Sequence, residues 1–464
     1  MKKTEFREEH DSMGPVKVPV GAYYGPQTQR AVDNFSISPY RIPLSMRNSL
    51  ALIKQAAAAG NRDLKLIEPS VCGAIMEAAG EVLSGGMNDQ FPLDVFQTGS
   101  GTSWNMNMNE VLARRGTEIL GGTPLVHPND HVNRGQSSND VIPSAMNIAA
   151  RIDAGTFISE LRSLRDSLCR KALQYHGRIK LGRTHLQDAV PMTVDQEFQA
   201  WADQAAKCLR HVQLLLEDLE QLPLGGTAIG TGLNCSPGFS GRAVSFIAEK
   251  TGIPFLPSDN PFRQISARDE MVALMGALNE CAVVLMKIAQ DMRLLSSGPR
   301  AGFGELKLPA LQPGSSIMPG KVNPVIPEMV IQAAAFVMGK QVSVTIAGQN
   351  GPLQLNIMQP LIAHEVLSSL EILKNAVVKF RTHCIDGIEV PADVPEAAVE
   401  KSLALVTPLA LRLGYDRAAG IAHRAYDEGK TVREKVLEEG ILDPGEAGRV
   451  LDPRAMIRPM PKDS

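Results

Sequence analysis

The sequence predicts an all-α protein organised around a bundle of long helices. Apolar residues recur every three or four positions over five long stretches, at about 143–176, 193–222, 263–297, 325–347 and 355–386. Aromatic residues make up only 5% of the 464 residues, and the many alanines, leucines and methionines favour packing between helices over a sheet core. We therefore expect the apolar stripes of these stretches to form the core.

The length of the stretches also predicts an oligomer. A helix of about 30 residues spans about 45 Å at 1.5 Å per residue. Rods of that length cannot bury their apolar faces inside a compact monomer of this size, so we expect the bundle to be shared between subunits. One narrow stripe is typical of helix-to-helix packing: Trp201, Ala205, Leu209, Val212, Leu216, Leu219 and Leu222.

Three domains are predicted along the chain. Residues 1–140 form a mostly helical N-terminal domain, and residues 141–390 contain the long-helix bundle. Residues 391–464 are more charged, have shorter apolar periods and contain several prolines, so they indicate a small helical C-terminal domain. Within it, residues 415–429 (YDRAAGIAHRAYDEG) predict an amphipathic surface helix.

Composition and charge do not support several classes of partner. The net charge of −3 gives no reason to expect nucleic acid or an anionic membrane as partner. We find no uninterrupted apolar run of bilayer-spanning length, and the charged N-terminus lacks a secretory signal. The six cysteines are scattered without a CxxC pair, which is typical of reduced thiols, and we expect a cytoplasmic protein.

The first polar block is residues 96–110 (FQTGSGTSWNMNMNE). Residues 99–102 predict a polar turn, and three asparagines alternate behind it. Buried amides need hydrogen-bond partners, from each other or from a ligand. A capped turn that opens a helix through Leu112 is the alternative interpretation.

The second block is residues 127–140 (HPNDHVNRGQSSND), where Pro128 and Gly135 indicate a loop. Residues 137–139 precede a helix that we expect to begin near Pro143. Their hydroxyl and amide groups can cap that helix, or they can donate to an anion at its positive end. Capping alone explains one of these residues rather than three.

The third block, residues 182–193 (GRTHLQDAVPMT), predicts a connection between helices that carries Thr184 and His185. A lone histidine is commonly structural or merely exposed, and the spacing alone leaves both interpretations open. Residues 225–234 (GGTAIGTGLN) lack the GxGxxG spacing and a preceding strand, so we interpret them as a turn without chemistry.

The fourth block, residues 312–324 (QPGSSIMPGKVNP), predicts a loop that binds an anionic substrate. Its backbone N–H groups and Lys321 can face a carboxylate, and a glycine-flanked loop can close over a ligand. A phosphate-binding P-loop is excluded, because five residues separate Gly314 from Gly320 and Val322 follows the lysine. A nucleophile elbow is excluded because GxSxG is absent. An ordinary surface loop is the alternative.

Three of these blocks, GSSIMPGKVNP, TGSGT with NMNMNE, and GRTHLQDA, resemble signature blocks of the aspartase/fumarase superfamily. Its members eliminate a group from a C4 dicarboxylate skeleton to give fumarate. The resemblance covers nearly the whole chain, from residues 21–35 (GAYYGPQTQRAVDNF) to the C-terminal YDRAAGIA. It implies the three-domain fold of that superfamily with a tetrameric helical core, a homotetramer whose sites each draw on three chains, and a small C4 dicarboxylate substrate. No cofactor or metal is expected, since HExxH is absent and the histidines lack ligand spacing.

The resemblance also implies residue roles. Ser315 is the base that takes the carbon-bound proton, His185 does acid/base work on the opposite face, and Glu328 orients His185. The implied substrate-binding residues are Ser100, Gly101, Thr102, Ser137, Ser138, Asn139, Thr184, Ser316, Lys321, Val322 and Asn323. A secondary anion site, as class II fumarases carry, falls on His127, Pro128, Asn129 and Asp130.

The chemistry of these residue types agrees with such a reaction. Taking a proton from carbon beside a carboxylate gives an aci-carboxylate with two negative charges, so the site needs positive charge and hydrogen-bond donors. Lys321, Asn323 and the loop N–H groups supply them. A neutral serine is a poor base, so Ser315 has to be held as an alkoxide by the donors around it.

Two sets of residues point to different members of the superfamily. Ser100 and Ser138 resemble fumarase, where aspartases tend to have alanine and threonine, whereas residues 325–327 (VIP) and 353–360 (LQLNIMQP) resemble aspartase. Positions that touch the ligand carry more weight, so we expect a fumarate hydratase that reversibly hydrates fumarate to (S)-malate. Aspartate ammonia-lyase is the alternative. A non-catalytic helical oligomer would be expected to lose Ser315, Lys321 or His185, and all three are present.

Overall fold

A computed structural model describes residues 5–459, and helices dominate this range. The helices are α1 (Pro26–Asn34), α2 (Leu44–Asp63), α3 (Pro69–Leu83), α4 (Thr102–Ile119), α5 (Ser138–Gln174), α6 (Val194–Leu214), α7 (Leu216–Leu219), α8 (Phe239–Thr251), α9 (Pro261–Ser266), α10 (Asp269–Leu295), α11 (Val325–Gly348), α12 (Gln359–His383), α13 (Val394–Lys401), α14 (Thr407–Leu413), α15 (Tyr415–Asp427), α16 (Val432–Glu438) and α17 (Pro444–Val450). The strands are β1 (Phe6–Asp11), β2 (Gly14–Pro19), β3 (Ile179–Thr184), β4 (Gln187–Thr193), β5 (Gln221–Leu222) and β6 (Leu256–Pro257).

The five predicted long helices are present as α5, α6, α10, α11 and α12, which confirms the all-α class. Two boundaries differ from the prediction. Helix α6 ends at Leu214, and the remaining apolar residues form α7 and the strand β5, which pairs in parallel with β6. The hairpins β1–β2 and β3–β4 were not predicted, because each is short and polar on one face.

The chain divides into two compact units, each assembled from three separated segments. The first unit contains the residues up to Ser159, Leu209–Ala282 and Ala334–Lys374. The second contains Glu160–Cys208, Val283–Ala333 and the residues from Asn375 onward. The five long helices contribute residues to both units. The division into domains at about residues 140 and 390 stays a prediction.

In the first unit, α2 packs against α3 and α8, and α3 packs against α4. Helix α2 is buried along most of its length because its sequence, ALIKQAAAAG, offers small side chains that let neighbouring helices approach. Its centre also buries one charged side chain, Lys54, which is fully inaccessible to solvent. Such a charge has to be matched by polar partners, and these are found beside the candidate site.

In the second unit, the C-terminal helices enclose a hydrophobic core of their own. Ile179 and Leu181 of β3 are buried in this core together with Leu405, Leu409 and Ile421. Alternation along the strand turns these two side chains inward. The C-terminal region therefore anchors the base of the β3–β4 hairpin, whose tip carries His185.

Two helices, α10 and α11, are long and apolar enough to cross a bilayer by length and composition alone. Neither was predicted as such from the sequence, because isolated charged residues interrupt the apolar run of both. Core helices of soluble proteins meet the same criterion, and half of the most apolar window of α10 is buried. Only 28% of the corresponding window of α11 is buried, so α11 keeps an open apolar face.

Candidate active site

The TGSGT turn lies in the first unit at the start of α4. The Ser100 and Thr102 hydroxyl oxygens are 2.7 Å apart, and Ser100 is buried. Gly101 between them has φ +75°, and a Cβ there would lie 2.9 Å from the Ile142 side chain. The turn therefore requires glycine at this position, and it holds two hydroxyl groups side by side.

Residues 353–360 support this turn from behind. The Gln359 backbone N–H donates to the Gly99 carbonyl over 3.0 Å. A Cβ on Gly99 would lie 1.8 Å from the Ile357 carbonyl oxygen, so no larger residue fits there without moving the backbone. The segment with aspartase-like sequence therefore fixes the position of Ser100, although no sequence signal linked the two.

Ser137 caps α5, which begins at Ser138 rather than near Pro143 as predicted. The Ser137 hydroxyl oxygen accepts from the Asn139 N–H over 3.2 Å, and the Asp140 carboxylate accepts from the Ser137 N–H over 2.9 Å. These reciprocal bonds satisfy backbone N–H groups at the first turn, so the helix begins earlier in the chain than predicted. The capping interpretation is therefore correct for Ser137.

The other two residues of this segment have different partners. The Asn105 amide donates to the Ser138 hydroxyl oxygen over 3.2 Å, and the Asn139 amide donates to the Ala228 carbonyl over 2.8 Å. The bond from Asn105 to Ser138 joins the polar block at residues 96–110 to the one at residues 127–140. Because Ser138 accepts from Asn105, its own hydroxyl proton is free to donate elsewhere.

Asp140 is fully buried, and burial raises its pKa to about 6. Backbone N–H groups oppose this shift: Gly225 and Thr227 each donate to the carboxylate over 2.9 Å. The turn at residues 225–234, which we interpreted as lacking any chemistry, thus holds the carboxylate at the start of α5. No pattern in the sequence pairs segments so far apart.

Lys54 is a polar residue of this region that was not predicted from the sequence. Its ammonium donates to the side-chain oxygens of Asn105 (2.8 Å), Asn133 (3.0 Å) and Gln136 (2.9 Å). Burial lowers the pKa of Lys54 to about 7, while the charge of Asp140 opposes this shift. Three acceptors use all three N–H groups, which only the protonated amine carries. The available signal was a lone lysine in an alanine-rich helix.

The candidate secondary anion site is a single π-helical turn, Pro128–Val132. His127, Asn129 and Asp130 are exposed. The His127 Nδ1 atom already accepts from the N–H groups of Asn129 (3.3 Å) and Asp130 (3.0 Å). An anion could use those two donors only after the imidazole has turned away.

In the second unit, His185 lies at the tip of the β3–β4 hairpin. Thr184 pairs with Gln187 across the hairpin, and His185 and Leu186 form a two-residue turn with φ values of +55° and +61°. Both turn residues are in the left-handed region, which matches the twist of the strands in a type I′ turn. Thr184 and His185 are exposed, so the hairpin presents both side chains outward.

The loop at residues 312–324 is braced across its base. The Gly314 N–H donates to the Lys321 carbonyl over 2.7 Å, and the Asn323 amide donates to the Gly314 carbonyl over 2.7 Å. A Cβ on Gly314 would lie 2.6 Å from the same Lys321 carbonyl oxygen. The Lys321 ammonium donates to the Asn323 side-chain oxygen over 2.8 Å. These contacts hold the loop in a closed turn.

Ser315 lies inside that turn with two donors aimed at its oxygen. The N–H groups of Ile317 (3.2 Å) and Met318 (3.0 Å) donate to the Ser315 hydroxyl oxygen. Donors in this arrangement favour negative charge on the oxygen that they face. Ser316, Lys321 and Val322 are exposed around it, and Asn323 is partly buried.

Glu328 is partly buried in the first turn of α11. Within residues 5–459, no hydrogen bond joins the His185 ring to Ser315 or to the Glu328 carboxylate. The role of Glu328 in orienting His185 stays a prediction. The described residues also contain no group of three or more histidine, cysteine or acidic side chains that could hold a metal ion.

Known proteins resemble this chain over nearly all of its length. The sequence pattern of a family described as "Lyase" matches residues 14–339, and that of a family described as "Fumarase C C-terminus" matches residues 405–458. The class II fumarate hydratase of Thermosynechococcus vestitus is 47% identical over 96% of this chain and 97% of that protein. The class II fumarate hydratase of Nitrosomonas europaea is 46% identical over 97% of this chain and 99% of that protein.

A solved structure gives the same result. The crystal structure of class II fumarase from Schistosoma mansoni superposes with a TM-score of 0.93 at 38% sequence identity, covering 98% of this chain and 99% of that one. The resemblance first identified in short polar blocks is confirmed across both sequence and fold. This chain belongs to the class II fumarate hydratase family.

Proposed function

We propose that this chain is a fumarate hydratase, which adds water reversibly to fumarate to give (S)-malate. The observation that carries the proposal is the serine pair, Ser100 and Ser138, in a chain whose relatives are named class II fumarate hydratases. Both serine hydroxyls lie in the first unit among donors suited to a carboxylate. The proton and the hydroxyl group of water add to opposite faces of the double bond, by way of an aci-carboxylate intermediate.

Each step has a residue suited to it. In the dehydration direction, Ser315 takes the proton from carbon, and the N–H groups of Ile317 and Met318 stabilise its alkoxide form. His185 donates a proton to the departing hydroxide from the opposite face. Lys321 places positive charge near a substrate carboxylate, where charge grows as the aci-carboxylate forms.

The remaining proposed residues bind and orient the dicarboxylate. Hydroxyl and amide donors suit a carboxylate because they match its acceptor-only oxygens. We assign this role to Ser100, Gly101, Thr102, Ser137, Ser138, Asn139, Thr184, Ser316, Val322 and Asn323. Glu328 is proposed to orient His185, and His127, Pro128, Asn129 and Asp130 are proposed as a secondary anion site.

One assay tests the proposed reaction. The purified protein is given (S)-malate or L-aspartate as its only substrate, and fumarate is followed by its absorbance. We expect rapid formation of fumarate from malate and little from aspartate, without added metal or nucleotide. Faster turnover of aspartate with release of ammonia would contradict the hydratase and favour the ammonia-lyase.

Aspartate ammonia-lyase stays the second candidate for a specific reason. The aspartase-like residues 353–360 support the turn that carries Ser100, through the bond from the Gln359 N–H to the Gly99 carbonyl. Asn356 and Gln359 in this segment are fully buried. These two residues can therefore act on substrate choice only through the position of the turn, and the serine hydroxyls are the groups proposed to contact the substrate.

We further propose a cytoplasmic homotetramer in which several chains contribute to each site. Helix α11 supports this proposal because it has two apolar faces. One face is buried within the chain, and the other exposes residues three, four and seven positions apart: Ala335, Phe336, Gly339, Val342 and Ile346. Such a stripe needs a partner helix. The lack of a hydrogen bond from His185 to Ser315 or Glu328 within the described chain agrees with shared sites.

The tetramer predicts a clear effect for a charge on the open face of α11. Val342 is 62% exposed in the single chain. Val342→Asp should lower the mass measured by light scattering from four chains to fewer, and should lower activity together with it, because a buried unpaired carboxylate is costly. Leu411→Asp is the matched control, since Leu411 is a 76% exposed leucine in the C-terminal region. A wild-type mass near the 50.0 kDa of one chain would refute the tetramer.

A further inference from the structure

Lys54 is the most deeply buried cation beside the proposed substrate residues of the first unit. Its side chain is fully inaccessible, and its three donors end on the amide oxygens of Asn105, Asn133 and Gln136. No carboxylate of the described chain is hydrogen-bonded to the ammonium; Asp140 acts on it only through its field. A buried charge with neutral partners alone is costly, so its presence requires a reason.

The contacts of Lys54 lead to Ser138 in two bonds. The ammonium fixes the oxygen of the Asn105 amide, which turns the Asn105 nitrogen toward Ser138 and Asn133, at 3.2 and 3.1 Å. The Ser138 oxygen thus accepts a hydrogen bond, and its proton is left to point at a ligand. The Asn133 side-chain oxygen accepts from the same Asn105 nitrogen, so the ammonium and Asn133 favour one orientation of the amide together.

A second set of contacts braces the loop before α5. The Asn133 side-chain oxygen accepts from Lys54 (3.0 Å) and from the amides of Asn105 (3.1 Å) and Asn109 (3.2 Å). The Gln136 amide donates to the Val132 carbonyl over 3.0 Å. The ammonium therefore joins α2, α4 and the loop that leads to residues 137–139.

We propose that Lys54 is a positioning residue for the dicarboxylate, which holds Ser138 through Asn105 as a donor and places buried positive charge behind the substrate segment 137–139. The proposal rests on the proposed function, since it needs Ser138 to touch substrate. A dianion gains from such a charge in a low-dielectric interior, where attraction is weakly screened. The ammonium acts on both ground and transition states, so its effect appears first in KM.

The test removes the charge and keeps the length of the side chain. Lys54→Met is expected to raise KM at least about tenfold and to lower kcat by a smaller factor. Lys171→Met is the matched control, because Lys171 is also buried but donates to the Ile388 carbonyl over 2.8 Å and touches none of the proposed substrate residues. Unfolding by denaturant is measured for both, and kinetics are expressed per folded chain.

A double-mutant cycle separates positioning from a merely structural role. Lys54→Met and Ser138→Ala should each lower kcat/KM, and the double variant should lose clearly less than the product of the two losses, because both act through one hydroxyl. Losses that multiply in full, or a KM within twofold of the wild type for Lys54→Met, would overturn the proposal.

A second variant decides the matter if Lys54→Met does not fold. Asn105→Asp keeps the size of the side chain and an acceptor for Lys54, but its negative charge offsets that of the ammonium, and it removes the donor to Ser138. KM is expected to rise at least about tenfold here also; an unchanged KM overturns the proposal. All variants are assayed with whichever substrate the wild type prefers, malate or aspartate. A preference for aspartate would thus refute the hydratase, whereas the role of Lys54 would be decided separately by the KM values of its variants.

Discussion

Replacing Ser315 with alanine should lower kcat by about 10³-fold or more, which is within the range expected for a general base. The structure gives the reason: two backbone N–H groups, of Ile317 and Met318, face the Ser315 oxygen and would stabilise it as an alkoxide. Alanine removes that oxygen and leaves the two donors without a partner. Water could occupy the gap, but it would not be held in line with the substrate proton.

The matched control for this variant is the neighbouring serine. Ser316→Ala removes a hydroxyl of the same kind from the next, exposed position of the same turn. We expect it to change KM more than kcat, because Ser316 is proposed to bind substrate rather than to take the proton. Steady-state kinetics with malate measure both. A kcat for Ser315→Ala within tenfold of the wild type would assign the base to another residue.

Replacing His185 with asparagine should lower kcat by roughly 10²-fold, the lower end of the range for a general acid. Water can partly replace an acid that acts on oxygen, so the residual activity should exceed that of Ser315→Ala. Asparagine is the right replacement because it tolerates φ of +55°, where His185 lies, and so keeps the hairpin turn. The fall in kcat then measures the contribution of the imidazole alone.

Leu186→Asn is the control for the turn. Leu186 is exposed, shares the left-handed conformation and has no proposed role in the reaction. Its variant should retain the wild-type kcat. If both variants lost activity equally, the hairpin conformation rather than the imidazole ring would explain the effect.

The two inactive variants also test whether sites are shared. Chains with Ser315→Ala and chains with His185→Asn are mixed in equal amounts, exchanged and assayed. If Ser315 and His185 of one site come from different chains, about a quarter of the sites should draw both intact residues by chance. No recovery in tetramers confirmed to be mixed would place both residues on one chain and end the shared-site proposal for this pair.

Sequence periodicity predicted the long helices well, because these helices are stabilised by packing of the apolar faces that produce the periodicity. Helices α10, α11 and α12 begin and end within six residues of the predicted limits. Pro143 misled the prediction for α5, since a proline early in a helix marks a first turn more often than an interior. Here the reciprocal bonds of Ser137 and Asp140 begin the helix five residues earlier.

The candidate site was predictable only where chemistry is local in the sequence. The GSSIMPGKVNP loop and the GRTHLQDA turn contain their own donors and their own bends, so residue order was informative. The family that these blocks indicate is confirmed by the comparisons, and so is the hydratase reaction, which was predicted from Ser100 and Ser138. The residue roles stay predictions.

Contacts between distant segments could not be read from residue order. Lys54 is 51 positions from Asn105 and 82 from Gln136, and neither spacing follows a helical or strand period. The same holds for Asp140 and the Gly225 N–H, 85 positions apart. A buried ionic group shows no sequence pattern of its own, because its partners are set by the fold.

The discontinuous make-up of the two units determines when each can fold on the ribosome. The first unit lacks its third segment until Ala334–Lys374 has been made, and the second lacks its third until the residues after Asn375 have followed. At about 5–20 residues per second, the gap between Ser159 and Ala334 alone takes on the order of ten seconds or more. Throughout that interval, the apolar faces of the helices already made stay uncovered, because the segments that pack against them have not yet been synthesised. The nascent chain is thus at its most prone to aggregate well before the enzyme is complete, and chaperones that bind apolar helices should matter most in that interval.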